Sequence, residues 1–163
     1  MVIKDKVMKS INKQINAELY SGYLYRAMAA YFESTNLPGF ARWMEKQAEE
    51  EHNHAMKFYK YVFERGGRVV LGAIDAPPSE WKSPLDAFKQ AYAHELKVTA
   101  LINDIMKTAR SEDDTATESM LKWFIDEQVE EEANAKFIVD RLALVKDHIG
   151  GLMIMDHELG ERK

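Results

Sequence analysis

A carboxylate and an imidazole with the spacing of metal ligands lie within residues 47–54 of the chain. Glu51 and His54 are three residues apart, so on an α-helix they project from one face. Apolar residues such as Met44 and Phe58 repeat every three or four positions along that face, which predicts that it is buried. An ionised carboxylate in a core costs several kcal/mol unless it is paired or coordinated. The pair therefore indicates a metal site, provided that other helices supply further ligands.

Three other segments have an apolar stripe interrupted in the same way. Glu18 interrupts the stripe of the first segment, Glu95 that of the third, and Gln128 with Glu131 that of the fourth. Each lies roughly two to four turns from its predicted helix start, so antiparallel packing brings them to one level. A single such residue is more often a polar outlier that reaches solvent. Four helices interrupted at matched depth favour a layer of metal ligands.

Four long helices must position these residues. Their stripes predict helices over about 4–34, 38–65, 84–110 and 115–146, with Pro38 and Pro84 in the first turns of the second and third. The irregular residues 67–83 are long enough to cross the length of a bundle, which predicts that the second and third helices run roughly parallel. A short fifth helix is predicted over about 149–160, projecting from the end. We interpret residues 1–163 as one all-α domain.

Composition excludes several classes of function. The 163 residues are 46% hydrophobic and 30% charged, with a net charge of −5, which speaks against nucleic-acid binding. The chain has no Cys, so disulfides, thiolate zinc sites and iron–sulfur centres are excluded. We find neither a signal peptide nor an apolar run long enough to span a membrane, and we expect a cytoplasmic protein.

The ligand types narrow the choice of metal. Several carboxylates with one imidazole and no thiolate suit iron or manganese, with zinc as a competitor. Glutamates can also bridge two ions, so one layer of this kind can hold a pair of cations.

In its motifs the chain resembles the prokaryotic non-haem ferritins over essentially its whole length. The resemblance is carried together by the motifs NAELYS (16–21), EEHNH (50–54), RGGR (65–68), YAHELKVT (92–99) and WFIDEQVEEE (123–132), and by the prolines at 77–78. It implies a ferritin-like four-helix bundle with a long crossover between helices two and three and a short C-terminal fifth helix.

The resemblance also implies roles for the stripe residues. Glu18, Glu51 and His54 match the first iron position of a ferroxidase centre, with Glu51 as the bridge. Glu95 and Glu131 match the second iron position, and Gln128 lies beside it.

Further residues match the surroundings of that centre. Glu50, Glu127 and Glu130, together with Glu131, match a third iron site; the first three lie about 100° off their stripes and should face the inner side of the bundle. Tyr25 matches the family's tyrosine near the centre, although plain core packing explains it equally well.

The implied activity is oxidation of Fe(II) to Fe(III) by dioxygen or peroxide, followed by storage of ferric mineral. The implied partner is the chain itself, in a hollow shell of 24 subunits, and no haem is expected. Trp43, Trp81 and Tyr59 offer surface for contacts between copies.

Two alternatives stay open. A haem-containing bacterioferritin-like protein would have His in place of Glu131 and Glu in place of Gln128, and a peroxide-detoxifying di-iron protein of the rubrerythrin type would add a Cys-rich domain. The remaining histidines are predicted to lie at the surface: His52, His94, His148 and His157.

Overall fold

The computed structural model of the protein describes all 163 residues and contains five α-helices and no β-strand. The four long helices begin and end within about two residues of the predicted positions, and the prolines that mark helix starts in the sequence occupy the first positions of α-helices in the structure. Pro38 and Pro84 begin their helices, and Ser83 Oγ accepts a hydrogen bond from the backbone N–H of Asp86 at 3.1 Å. The helices are α1 (Asp5–Ser34), α2 (Pro38–Glu64), α3 (Pro84–Ser111), α4 (Thr115–Val145) and α5 (Ile149–Gly160).

Two separate apolar clusters fill the bundle and fix the directions of the helices. The first cluster joins the C-terminal halves of α1 and α4 to the N-terminal halves of α2 and α3. The second joins the opposite halves, so α1 and α4 run antiparallel to α2 and α3, as predicted. The first cluster includes Met28, Phe32, Phe40, Phe88 and Leu142, and the second includes Ile11, Phe58, Ile102, Leu121 and Phe124.

A mostly exposed strap, residues 65–83, connects α2 to α3 along the outside of the bundle. Gly66 has a φ of 69° where α2 ends, a conformation that glycine adopts without strain. Asn12 of α1 fastens the strap, since its Nδ2 donates to the Arg68 carbonyl at 3.0 Å and its Oδ1 accepts from the Val70 N–H at 2.9 Å. The strap lets α2 and α3 run parallel.

A charged group that is partly buried lies where the strap begins, and we call it the Arg65–Asp114 cluster: Arg65, Asp114, Tyr61 and Thr117. Arg65 donates to both Asp114 carboxylate oxygens, at 3.0 and 3.2 Å, and it also contacts the Tyr61 and Thr117 hydroxyls. Asp114 also caps α4 by accepting from the Thr117 N–H at 3.0 Å. Burial raises the pKa of Asp114, but these hydrogen bonds outweigh burial and leave that pKa below its ordinary value.

The fifth helix does not project from the end of the bundle as predicted. It folds back onto the start of α2, where Asp156 Oδ1 accepts a hydrogen bond from the Phe40 N–H at 2.9 Å and Met155 is buried in the first apolar cluster. The contact needs glycine at position 39, since a Cβ on Gly39 would lie 1.6 Å from the Asp156 carbonyl oxygen. Trp43, expected to offer surface, is 9% exposed beneath α5. None of the helices is both long and apolar enough to cross a membrane.

Candidate metal centre

The polar stripe residues meet in a single layer between the two apolar clusters. Glu18 projects from α1, Glu51 and His54 from α2, Glu95 from α3 and Glu131 from α4, and all five side chains belong to residues that are no more than 6% exposed. Because each interrupts a stripe that otherwise packs in the core, the helix phase that buries the apolar residues also points these groups inward.

The layer contains overlapping groups of ligand atoms. Oxygen and nitrogen atoms of Glu18, Glu51 and His54 lie within 4.8 Å of one another, and so do oxygens of Glu51, Glu95 and Glu131. Glu51 belongs to both groups, so one carboxylate faces two neighbouring cation positions. His54 Nδ1 lies 3.3 Å from Glu51 Oε2.

Neutral amides orient the carboxylates. Gln14 Nε2 donates to Glu18 Oε1 at 3.0 Å, and Gln47 Nε2 donates to Glu51 Oε1 at 3.0 Å and to Glu131 Oε2 at 2.7 Å. On the opposite side, Gln128 Nε2 donates to Glu95 Oε2 at 3.2 Å and to the Thr99 hydroxyl at 3.1 Å. With its amide nitrogen so engaged, Gln128 can offer a cation only its carbonyl oxygen. The tyrosine hydroxyl of Tyr25 also donates to Glu95 Oε1.

The four carboxylates have raised pKa values, and burial is the main cause in each case. Burial, with the charge on Glu51, raises the pKa of Glu18 well above its ordinary value; burial, with the charge on Glu95, does the same to Glu51. Burial raises the pKa of Glu95 to about 7 against the hydrogen bonds from Tyr25 and Gln128, and burial with the charge on Glu95 raises the pKa of Glu131 to about 8. No lysine or arginine lies in the layer to balance these carboxylates.

A bound cation would supply positive charge to balance the carboxylates of the layer. Glu18 Oε2 is buried and has no hydrogen-bond partner, which is costly for a carboxylate oxygen unless something else binds there. Carboxylates and one imidazole are ligands that iron, manganese and zinc accept. The chemistry of the donor set and the unpartnered oxygen both fit divalent cations.

Tyr25 and His94 lie on the side of the layer nearest α3. Burial, with the charge on Glu95, raises the pKa of the Tyr25 hydroxyl well above its ordinary value, so the group stays protonated and donates. The prediction that His94 is a surface residue is wrong: it is half-buried, its Nε2 lies 2.6 Å from Ser21 Oγ, and burial lowers its pKa to about 4. Its neighbour Glu95 enters the core, and the same turn carries His94 partly inside. The other three histidines outside the layer are exposed, as predicted: His52, His148 and His157.

The residues expected to form a third iron site are only partly assembled. Glu127 lies beside the layer, and its carboxylate forms a group within 4.8 Å with His54 and Glu131. Glu50 is half-exposed and accepts a hydrogen bond from Arg162 at 3.0 Å, whereas Glu130 is exposed and joins no such group. A surface cavity of about 270 Å³ opens beside this region, lined in part by Lys57 and Trp123. Of the three off-stripe residues, the structure thus brings one to the layer.

Gln14 and Gln47 contact the layer and Arg162 contacts Gln47, and none of the three had a predicted role. Gln47 lies on the α2 core stripe four residues before Glu51, and an amide in a core stripe is a usable signal. Arg162 follows the end of α5 and reaches Gln47 Oε1 at 3.0 Å; no local pattern in the sequence indicates that contact.

Comparison with known proteins gives one answer over the whole chain. The family model described as ferritin-like domain matches residues 8–145. A bacterial non-heme ferritin of Bacteroides fragilis is 40% identical over 161 residues, covering 99% of this chain and 100% of the relative. One from Staphylococcus epidermidis is 37% identical, with 99% and 97% covered.

Solved structures agree with the sequence relatives. A ferritin from the hyperthermophilic archaeon Archaeoglobus fulgidus, described as a novel open pore ferritin, has a TM-score of 0.98 and 49% identity, with 99% of each chain covered. A closed form of that ferritin, engineered by site-directed mutagenesis, gives the same TM-score and identity over 99% of this chain and 98% of the other.

Proposed function

The chain belongs to the ferritin family of iron-storage proteins, and from that membership we propose that its acidic layer oxidises Fe(II) to Fe(III) before storage. One observation carries the proposal: four buried carboxylates and one imidazole share a layer that contains no lysine or arginine, and Glu18 Oε2 in that layer has no partner. Two Fe(II) ions supply the missing charge. Iron is substrate here and passes on as Fe(III).

The overlapping ligand groups support two iron positions. Glu18, Glu51 and His54 take the first ion; Glu51, Glu95 and Glu131 take the second, so that Glu51 bridges them. Protons bound to the layer leave when the ions enter, because a ligand carboxylate must be ionised. Tyr25 donates to Glu95 and Gln128 supports the same carboxylate, which holds it in place during the exchange of protons for iron.

The redox step needs an acceptor from solution. Two Fe(II) ions lose one electron each; dioxygen takes both electrons with two protons and leaves as hydrogen peroxide. If hydrogen peroxide is the acceptor, it takes two electrons and two protons and leaves as two water molecules. The chain contributes ligand positions and charge, while the electrons come from iron.

Four finer points stay predictions. A third iron position involves Glu127 and Glu131, with Glu50 and Glu130 joining only if their side chains move. The chain acts without haem, following the bacterial relatives described as non-heme, and in the cytoplasm. It assembles into a hollow shell of 24 copies around ferric mineral.

Aerobic addition of Fe(II), followed by ferric absorbance, tests the activity. Glu51→Ala with His54→Ala should lower the rate more than about 100-fold, since even residues that only support a metal ligand are worth about 10- to 100-fold. The matched control is Glu49→Ala with His52→Ala, which removes the same residue types from exposed positions of the same helix. Equal rates for the two double variants would refute the proposal. Sedimentation of the wild type tests the shell, and a monomer or dimer would contradict it.

A further inference from the structure

Resting on the proposed function, we propose that Arg162 is a positioning residue for the iron layer. It acts through the amide of Gln47, and the docking of α5 against α2 places it there. The docked α5 therefore helps to orient two carboxylates that belong to other helices, Glu51 on α2 and Glu131 on α4.

The guanidinium of Arg162 is held from several sides. Its Nη2 donates to Gln47 Oε1 and to Glu50 Oε2, both at 3.0 Å, and its Nη1 donates to the Trp43 carbonyl at 3.1 Å. It also lies over the Trp43 ring, 4.4 Å from the centroid, and its side chain is only 19% exposed. A fork fixed at three oxygens and one ring has little freedom to turn.

This contact decides which way the Gln47 amide faces. Arginine has donors and no acceptor, so the Gln47 atom that faces Arg162 must be the carbonyl oxygen. The NH₂ group is thereby turned toward the layer, where it reaches Glu51 Oε1 at 3.0 Å and Glu131 Oε2 at 2.7 Å. Without Arg162 the amide can flip, and its oxygen would then face two carboxylates.

The oriented amide links ligands from two helices. Gln47 is 1% exposed, and its two N–H groups occupy one oxygen of Glu51 and one of Glu131. The amide does not contact the other two oxygens, Glu131 Oε1 and Glu51 Oε2, and the latter lies 3.3 Å from His54 Nδ1. The amide thus fixes the distance between an α2 ligand and an α4 ligand before any ion arrives, and groups that orient metal ligands tune affinity in this way.

The docking of α5 supplies the position of Arg162. Asp156 accepts from the Phe40 N–H, Gly39 allows the close approach, and Met155 enters the first apolar cluster. Arg141 of α4 makes a second tie to this helix, bonding Glu158 at 2.7 Å and lying over the Phe137 ring. Arg141 therefore resembles Arg162 in its contacts with α5 and an aromatic ring but does not touch the layer, which makes it the matched control.

The experiment compares four variants in the full-length protein: Gln47→Met, Arg162→Met, Arg162→Lys and Arg141→Met. Methionine keeps an apolar stem in place and removes the polar head group. Anaerobic titration with Co(II) measures affinity, and the visible absorption of bound Co(II) reports the ligand geometry. The kcat and KM for Fe(II) are measured beside it, and thermal melting confirms that each variant is folded.

We expect Gln47→Met and Arg162→Met to weaken Co(II) binding by roughly 10- to 100-fold and to change its spectrum, the range for residues that orient metal ligands. Arg162→Lys should fall between wild type and Arg162→Met, since an ammonium can still donate to Gln47 Oε1. Arg141→Met should bind Co(II) like wild type. The double variant Gln47→Met with Arg162→Met should be no worse than Gln47→Met alone, because the two residues act in series.

Wild-type affinity and spectrum in Arg162→Met would overturn the proposal, as would losses that add in the double variant. An equal loss in Arg141→Met would show that docking alone matters, and would also overturn it. If Arg162→Met does not fold, wild-type Co(II) affinity and spectrum in Gln47→Met, which removes the amide through which Arg162 acts, overturn the proposal in the same way. Failure of the wild type to oxidise Fe(II) would count against the proposed function only, because the Co(II) comparison needs no oxidation.

Discussion

The bundle buries two charged groups that are opposite in their electrostatics. In the Arg65–Asp114 cluster a guanidinium meets a carboxylate at 3.0 Å, every charge has a partner inside the chain, and the pKa of Asp114 is lowered. In the acidic layer four carboxylates face one another, and the pKa values of Glu95 and Glu131 are raised to about 7 and about 8. Both Asp114 and the four glutamates are buried, so burial alone does not explain the opposite pKa directions. The partner that the chain supplies, or omits, separates a structural group from a binding site.

The largest effect on stability should come from breaking the ion pair of the Arg65–Asp114 cluster. Asp114→Ala leaves Arg65 buried without its counter-charge and removes the α4 cap, and we expect the free energy of unfolding to fall by about 3 kcal/mol. Denaturant unfolding of the metal-free protein measures it. Asp104→Ala, an exposed aspartate of α3, is the control and should unfold like wild type. A stable Asp114→Ala protein would mean that this ion pair is not structural.

Removing the charge of one carboxylate in the acidic layer should instead raise the free energy of unfolding. Glu131 has a folded pKa of about 8 against an ordinary 4.5, so the folded protein binds more protons over that interval and its stability falls as pH rises. Glu131→Gln removes this loss, and we expect the metal-free variant to gain about 2 kcal/mol at pH 6, which lies about 1.5 pH units above 4.5, with each unit equivalent to about 1.4 kcal/mol. The gain should vanish near pH 4.

Unfolding curves at the two pH values measure this difference. Glu130→Gln, which neutralises the exposed neighbour, should show no comparable gain. A Glu131→Gln protein less stable than wild type at pH 6 would mean that the layer is already compensated within the chain, and the contrast with the Arg65–Asp114 cluster would disappear.

A smaller effect on stability should come from Co(II) binding, which should depend on the acidic layer and not on the Arg65–Asp114 cluster. Co(II) at ten times its dissociation constant should stabilise the wild type by about 1.4 kcal/mol, as mass action requires of an ion that binds only the folded state. The Asp114→Ala protein should gain the same increment, because its layer is intact. Glu51→Ala with His54→Ala should gain none, and thermal melts with and without Co(II) distinguish these cases.

The fold and the layer were largely predictable because both follow from helix phase. The stripes through Glu18, Glu51, Glu95 and Glu131 placed those residues inward, and Pro38 and Pro84 marked the starts of α2 and α3. A regular helix of known direction leaves few other positions for these side chains. Tyr25 was expected near the centre from the family resemblance, with core packing as an equal alternative, and its bond to Glu95 is a contact that helix phase does not specify.

The features that the sequence did not predict correctly depend on contacts between segments far apart in the chain. The short helix after α4 was expected to project, but its place on α2 depends on Gly39 and Asp156, which are ordinary residues until they meet. Arg162 carries no pattern that would pair it with Gln47. His94 was expected at the surface because the residue beside it takes the core position, and only the packing of α1 against α3 shows how far it is enclosed.

The hydrogen bond between Phe40 and Asp156 has a consequence for how the chain is made. The acceptor lies 116 residues beyond the donor, so the ribosome releases the start of α2 long before Asp156 exists. During translation the α1–α2 hairpin therefore emerges with that N–H open to water and with Gly39 uncovered. A nascent subunit can pair its first two helices early, but it can close this junction, and bring Arg162 to Gln47, only at the end of its synthesis.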